Sequence, residues 1–163
     1  MIAVGAPLQE VLTKLVMLIE EQLEGVLCSV LLLDENTGCL SNGAAPNLPD
    51  AYCEAIEGIE IGPTVGSCGT AAYHKKTVIV EDIETDPLWA DFSDLALGHG
   101  LRSCWSTPIL SLDGRVLGTF ALYTDHIFAP GEKEVRLTID TVRIAAIAIE
   151  RELSEQKIRY LAN

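Results

Sequence analysis

From Pro7 to about Val26, apolar side chains recur at every third or fourth position, the repeat of a helix with one face turned inward. Leu8, Val11, Leu15 and Leu18 make one stripe, and Leu12, Val16, Ile19 and Leu23 make a second beside it, so a wide buried face is predicted. Gly25 breaks the pattern. Cys28 to Asp34 is then an apolar run of strand length, followed by the turn-rich Glu35 to Gly38 and a weaker strand from Cys39 to about Ala44. The pattern predicts a hairpin with Asp34 opposite Cys39 and Cys28 opposite Ala45. Cys28 and Cys39 are then not cross-strand neighbours, which disfavours a disulfide between them.

After a polar, proline-containing connection, Leu48 to Gly58 reads as a short helix carrying Cys53, with Asp50 near its start and Gly58 at its end. Ile61 to Gly66 is irregular. A short helix through Cys68 to Tyr73 follows, then a strand from Lys76 to Ile83. Asp86-Pro87 suits a helix start, the carboxylate capping free amides and the proline fitting the first turn; this helix should pass Trp89 and Leu95 and end near Gly98 or Gly100. Leu101 to Thr124 is the clearest hairpin, with Asp113-Gly114 suited to a type I′ turn. Pro108 lacks an amide hydrogen and predicts an edge or a bulge at its position. From Pro130 one long helix is predicted, in which Val135, Ile139, Val142, Ala146, Ile149, Leu153 and Tyr160 form a heptad seam interrupted by Gln156. This order describes an α+β domain with a mainly antiparallel sheet and helices on one face or at its ends. The first and last helices are natural partners for each other or for a second copy.

A chain of 163 residues, 48% hydrophobic and 21% charged, can bury the core of one domain. Its net charge of -13 opposes phosphate backbones and anionic headgroups, so neither nucleic acid nor a membrane surface is an expected partner. The acids are scattered, as in Glu20-Glu21 and Glu81-Asp82, which reads as a solvated surface. No apolar run approaches the ~20 residues of a membrane span, and no basic and apolar leader follows Met1, so a cytoplasmic location is expected. The five cysteines, 28, 39, 53, 68 and 104, are odd in number and lack CxxC spacing, which argues against a secreted disulfide framework and a zinc knuckle. They are expected to be reduced. His74, His99 and His126 supply no pair of ligands at helical spacing, so no metal site is expected and no cofactor is named.

The ordered segments GSCGTAAY, VIVEDI, DPLW, GLRSCWSTPI and DGRVLGTFALY, followed by a Pro-Gly-Glu helix start and AAIAIER, resemble a GAF domain of the bacterial signalling type from about Leu8 to Arg151. The resemblance implies a central antiparallel sheet with long terminal helices on one face and capping loops and short helices on the other. It also implies a cavity under the cap for an unknown small-molecule ligand, and a homodimer formed through the terminal helices. Residues 1–151 would be the sensory domain. Glu155 to Asn163 resembles the lead-in helix of a GGDEF, or diguanylate cyclase, domain, so residues 152–163 would begin a linker to an output domain in cyclic di-GMP signalling. The module itself would be non-catalytic.

Cys68 has several readings. It sits among Gly66, Ser67, Gly69, Ala71 and Ala72, small residues suited to a helix lying close on a sheet. The segment SCGTAA also resembles the free methionine sulfoxide reductases, GAF-fold enzymes that need a reactive thiolate and a resolving thiol, a part that Cys104 could play. That family's further cysteine segment has no counterpart between Asp82 and Leu101. Bilin attachment would want a histidine after the cysteine, whereas Gly69 follows Cys68 and Trp105 follows Cys104. For the pocket, Trp89 and Phe92 are placed on the cap, and Cys68, Asp94, Arg102, Cys104, Ser106 and Phe120 complete the candidate lining. Arg102 could hold a carboxylate or phosphate, or pair with Asp82, Asp91 or Asp94.

Overall fold

In the computed structural model, which describes residues 6–162, the first helix α1 spans Ala6–Gln22. Residues 1–5 of the expected domain and Asn163 of the expected linker lie outside the described residues. Only one of the two apolar stripes on α1 is fully used. Leu12 and Val16 are completely enclosed, with Leu8, Ile19 and Leu23 buried beside them, whereas Val11 and Leu18 remain exposed. A helix resting on a single sheet face covers only the stripe it presents to that face.

The remaining elements are β1 Leu27–Asp34, β2 Cys39–Ala44, α2 Asp50–Ile56, β3 Ile59–Glu60, α3 Cys68–His74, β4 Val78–Val80, a 3-10 turn Pro87–Trp89, α4 Ser93–Gly98, β5 Ser103–Leu110, β6 Val116–Thr124 and α5 Glu132–Ala162. The six strands form one sheet in the order β3-β2-β1-β6-β5-β4, with every neighbouring pair antiparallel. Alternation along the strands makes two cores. Val30, Leu32, Trp105, Phe120 and Leu122 face α1 and α5, while Leu31, Leu33, Cys104, Ala121 and Tyr123 face the cap.

Several expectations shift in detail. Asp34 does pair with Cys39, but a bulge between Val30 and Leu31 moves the register by one, and β2 ends at Ala44. Cys28 therefore does not face Ala45 in β2, and on the other edge of β1 it lies opposite Leu122 of β6. The extra residue is Gly43, where a side chain would press on the Val30 carbonyl at 3.1 Å. The strand expected over Lys76 to Ile83 shortens to Val78–Val80, because Asp82 turns the chain by accepting the Thr85 and Asp86 amides. The helix expected from Asp86 divides in two. Asp86 caps the 3-10 turn, accepting the Leu88 amide at 2.9 Å, and α4 begins afresh at Ser93.

The β5–β6 loop also differs from a two-residue type I′ turn. Ser111 and Arg115 bond across it, the Gly114 amide reaches the Ser111 carbonyl at 3.0 Å, and Gly114 alone takes a positive φ, 85°. This is a three-residue loop closed by a left-handed glycine. A shift between Ile109 and Leu110 restores the register, so Ser106 still pairs with Ala121 and Cys104 with Tyr123. Pro108 pairs with Thr119 on one side, while β4 stops opposite Ser106 on the other, which leaves a local edge there as expected.

In α5 the expected seam divides along its length. Ala146 and Ile149 are buried and Val142 and Leu153 half-buried, but Val135, Ile139 and Tyr160 are exposed. The inward face is Thr138, Thr141, Ala145, Ala146, Ile149 and Glu152, which packs on β5 and α1. Gln156 bonds back to Glu152 at 3.2 Å. The helix is unbroken across residues 151 and 152.

Candidate functional site

Under the cap, α3 lies against β5 and β6. It can do so because Gly66, Ser67, Cys68, Gly69, Ala71 and Ala72 hold the backbone close to the strands, all of them buried. The seam is fixed by polar groups. The Ser67 hydroxyl donates to the Cys104 carbonyl at 2.9 Å and accepts the Trp89 indole N–H at 3.0 Å, while the Gly66 amide donates to Leu88 at 2.8 Å. Ser67 thus ties the sheet, α3 and the 3-10 turn together. Deeper in the cap, the phenols of Tyr52 and Tyr123 share a buried hydrogen bond of 3.0 Å, with the rings edge to face at 5.7 Å.

What space remains is small. A cavity of about 30 Å³ is bounded by Gly66, Cys68, Trp89, Phe92, Tyr52 and Tyr123, with further apolar side chains around them. That volume holds roughly one water molecule.

Cys68 and Cys104 are brought together here. Cys68 sits at the start of α3, packed beside the Cys104 thiol and the hydroxyls of Ser106, Thr119 and Tyr123. Those donors, the Cys104 thiol foremost, hold the Cys68 thiol below its ordinary pKa despite its burial. Burial pushes Cys104 well up, and the neighbouring Cys68 adds to it. Burial also pushes the Tyr52 and Tyr123 phenols well above their usual range.

Of the residues expected to line a pocket, Cys68, Trp89 and Phe92 do so. Cys104 and Ser106 lie behind Cys68 on the same sheet face. Three others are elsewhere. Phe120 stands opposite Thr107 and Val30, so it shares the face of Trp105 and packs towards α1 and α5. Asp94 is exposed on α4. The Arg102 guanidinium is held outside by Asp82 at 2.7 Å and Glu84 at 2.9 Å, and the Arg102–Asp82 contact keeps the Asp82 carboxyl below its usual range. Ser67, Tyr52, Thr119 and Tyr123 were not anticipated. The strand register carried a signal for two of them, since Tyr123 stands opposite Cys104 and Thr119 follows on the same face.

Among the described residues, no group of three His, Cys, Asp or Glu side chains could hold a metal ion, and no helix is long and apolar enough to cross a membrane. The site is an apolar, nearly filled cap with one polar nest around a thiol.

Comparison with known proteins agrees with this architecture. Residues 5–150 match the GAF domain family. The chain is 42% identical over 149 residues to the methyl sulfide methyltransferase-associated sensor of Methanosarcina acetivorans, a match covering 91% of this chain and 15% of that protein. It therefore spans about a seventh of the length of that relative. Among solved structures, a domain from Sinorhizobium meliloti 1021, described as belonging to a two-component sensor histidine kinase, superposes with a TM-score of 0.75 at 22% identity, covering 93% of this chain and 96% of that one. The free methionine-R-sulfoxide reductase of Neisseria meningitidis, solved with its substrate, gives 0.70 at 20% identity, covering 91% of this chain and 81% of the enzyme. At those identities the likeness is one of fold, and the family follows from the match over nearly the whole chain. This chain belongs to the GAF domain family.

Proposed function

We propose that the chain is a non-catalytic sensory module of a larger cytoplasmic signalling protein. Residues 1–151 form the sensing domain, and residues 152–163 begin a helical linker to an output domain. The module dimerises through its terminal helices, and a small shift or rotation of those helices carries the signal outward. The observation that carries this reading is the apolar surface left after the core is complete. Val11, Met17 and Leu18 on α1, and Val135, Ile139, Ile144 and Ile147 on α5, remain exposed. A sensor as a 42% identical relative supports the reading. The likeness of Glu155 to Asn163 to a GGDEF lead-in helix favours a diguanylate cyclase as the output. Crosslinking and scattering of the domain with its output attached test this, with dimers expected; monomers only would overturn it. A small-molecule ligand must open the cap to enter, because the closed cavity is about 30 Å³, and one that does so should raise the melting temperature by mass action in a nucleotide and metabolite panel.

A second reading, a thiol enzyme acting on free methionine sulfoxide, is favoured by the adjacency of Cys68 and Cys104. Against it stand the cavity of about 30 Å³ and the outward engagement of Arg102. NADPH consumption with thioredoxin and free methionine sulfoxide decides the matter. Turnover lost in Cys68→Ser would replace the first reading with the second.

A further inference from the structure

Four polar groups, the Cys104 thiol and the Ser106, Thr119 and Tyr123 hydroxyls, lie close around one buried sulfur, that of Cys68. Of these, the Ser106 and Thr119 hydroxyls are fully buried and have no hydrogen-bond partner among the described residues. A buried hydroxyl left without a partner is costly, so two such groups packed beside one sulfur call for an acceptor stronger than a neutral thiol. A thiolate at Cys68 is that acceptor. The second observation is the cavity. Cys68 lines it and keeps 8% of its surface accessible, while Cys104 lies behind it with none. About 30 Å³ admits a molecule of one or two heavy atoms and excludes a metabolite.

We propose that Cys68 and Cys104 form a peroxide-responsive dithiol, in which hydrogen peroxide entering the cap cavity oxidises Cys68 and Cys104 then closes a disulfide onto it. The Cys68 thiolate attacks one peroxide oxygen; an S–O bond forms, the O–O bond breaks, and the departing hydroxide takes up the proton released by the thiol. The Cys104 sulfur then attacks the Cys68 sulfur; the S–S bond forms, the S–O bond breaks, and hydroxide leaves with the Cys104 proton as a second water. Peroxide gains two electrons and the thiol pair loses two. Bonding draws the sulfurs to about 2 Å and pulls the start of α3 onto β5. Through Ser67 the same pull reaches Trp89. This names an oxidant as one signal for the sensory module proposed above, and uses that reading only for its consequence; the chemistry can fail while helix-mediated dimers survive, and the reverse.

The test is intact-mass and peptide mapping of the purified domain after brief exposure to hydrogen peroxide. Expected are a loss of about 2 Da per chain, reversed by dithiothreitol, and a peptide joining Cys68 to Cys104. Cys104→Ser should gain oxygen at Cys68 instead, and Cys68→Ser should leave Cys104 reduced. Ser106→Ala and Thr119→Val, checked for folding by circular dichroism, should slow the wild-type reaction several-fold. The proposal is overturned if the wild-type pair stays reduced under peroxide that oxidises the more accessible Cys39, or if Cys104 is oxidised as readily in Cys68→Ser. Should a cysteine variant fail to fold, the wild-type mapping decides alone.

Discussion

Tyr52 and Tyr123 each satisfy a buried phenol with the other, so removing one hydroxyl strands its partner. Tyr123→Phe should lower the unfolding free energy by about 1–2 kcal/mol in urea titration, whereas Tyr52→Phe/Tyr123→Phe should recover much of that loss. The single change also removes a hydroxyl that lies beside Cys68 and helps to lower its pKa, so the thiol should react more slowly with small electrophiles at neutral pH. Residue by residue, the sequence was legible where the backbone dictated the side chain. The small residues around Cys68 announced a close helix–sheet contact because only such side chains permit it. Arg102 was less legible, since a guanidinium is equally suited to a guest anion and to a neighbouring carboxylate. Local charge decided for Asp82 and Glu84. Phe120 falls outside the pocket by strand alternation, because its partner Thr107 shares a face with Trp105 and not with Ser106.

At the scale of elements, the two stripes of α1 have different tasks, and substitution should separate them. Leu12→Ala empties a fully enclosed site facing the sheet and should cost about 3 kcal/mol in chemical denaturation. Leu18→Glu, on the exposed stripe, should change monomer stability by less than about 0.5 kcal/mol while weakening self-association in sedimentation. Element existence and order were readable from hydrophobic period, because helices and hairpins of this length imprint it strongly. Their ends were not. The break between the 3-10 turn and α4, and the shortening of β4, are set by hydrogen bonds that Asp86 and Asp82 make in three dimensions. The bulge at Gly43 and the extra loop residue before Arg115 likewise depend on which strands meet.

Taken whole, the domain buries several weak acids that ionise readily once unfolded. Cys28, Cys104, Tyr52 and Tyr123 are all raised, chiefly by burial. A raised folded value means that the unfolded chain releases the proton first, so their contribution is complete below the ordinary thiol range and is lost as pH rises through about 8.5 and then about 10. Cys68 acts in the opposite sense. Its lowered value adds stability as pH climbs towards the ordinary thiol range and loses it as pH falls through the folded value. Melting temperatures followed by circular dichroism should therefore peak near mild alkalinity and drop beyond it, and the drop should soften in Cys28→Ala. The two-core layout was foreseeable from strand alternation, whereas the clustering of Tyr52, Cys68, Cys104 and Tyr123 was not, because it joins α2, α3, β5 and β6 from distant parts of the chain. One feature of the whole reaches past the domain. Since α5 leaves the sheet as a continuous rod through Ala162, whatever is attached there inherits an angular setting. Each residue added beyond Leu153 turns the attachment by about 100°, and seven return it to within about 20°. With the proposed output domain attached, its activity across a series of insertions should thus oscillate with helical periodicity, the rod working as a crankshaft whose timing matters more than its length.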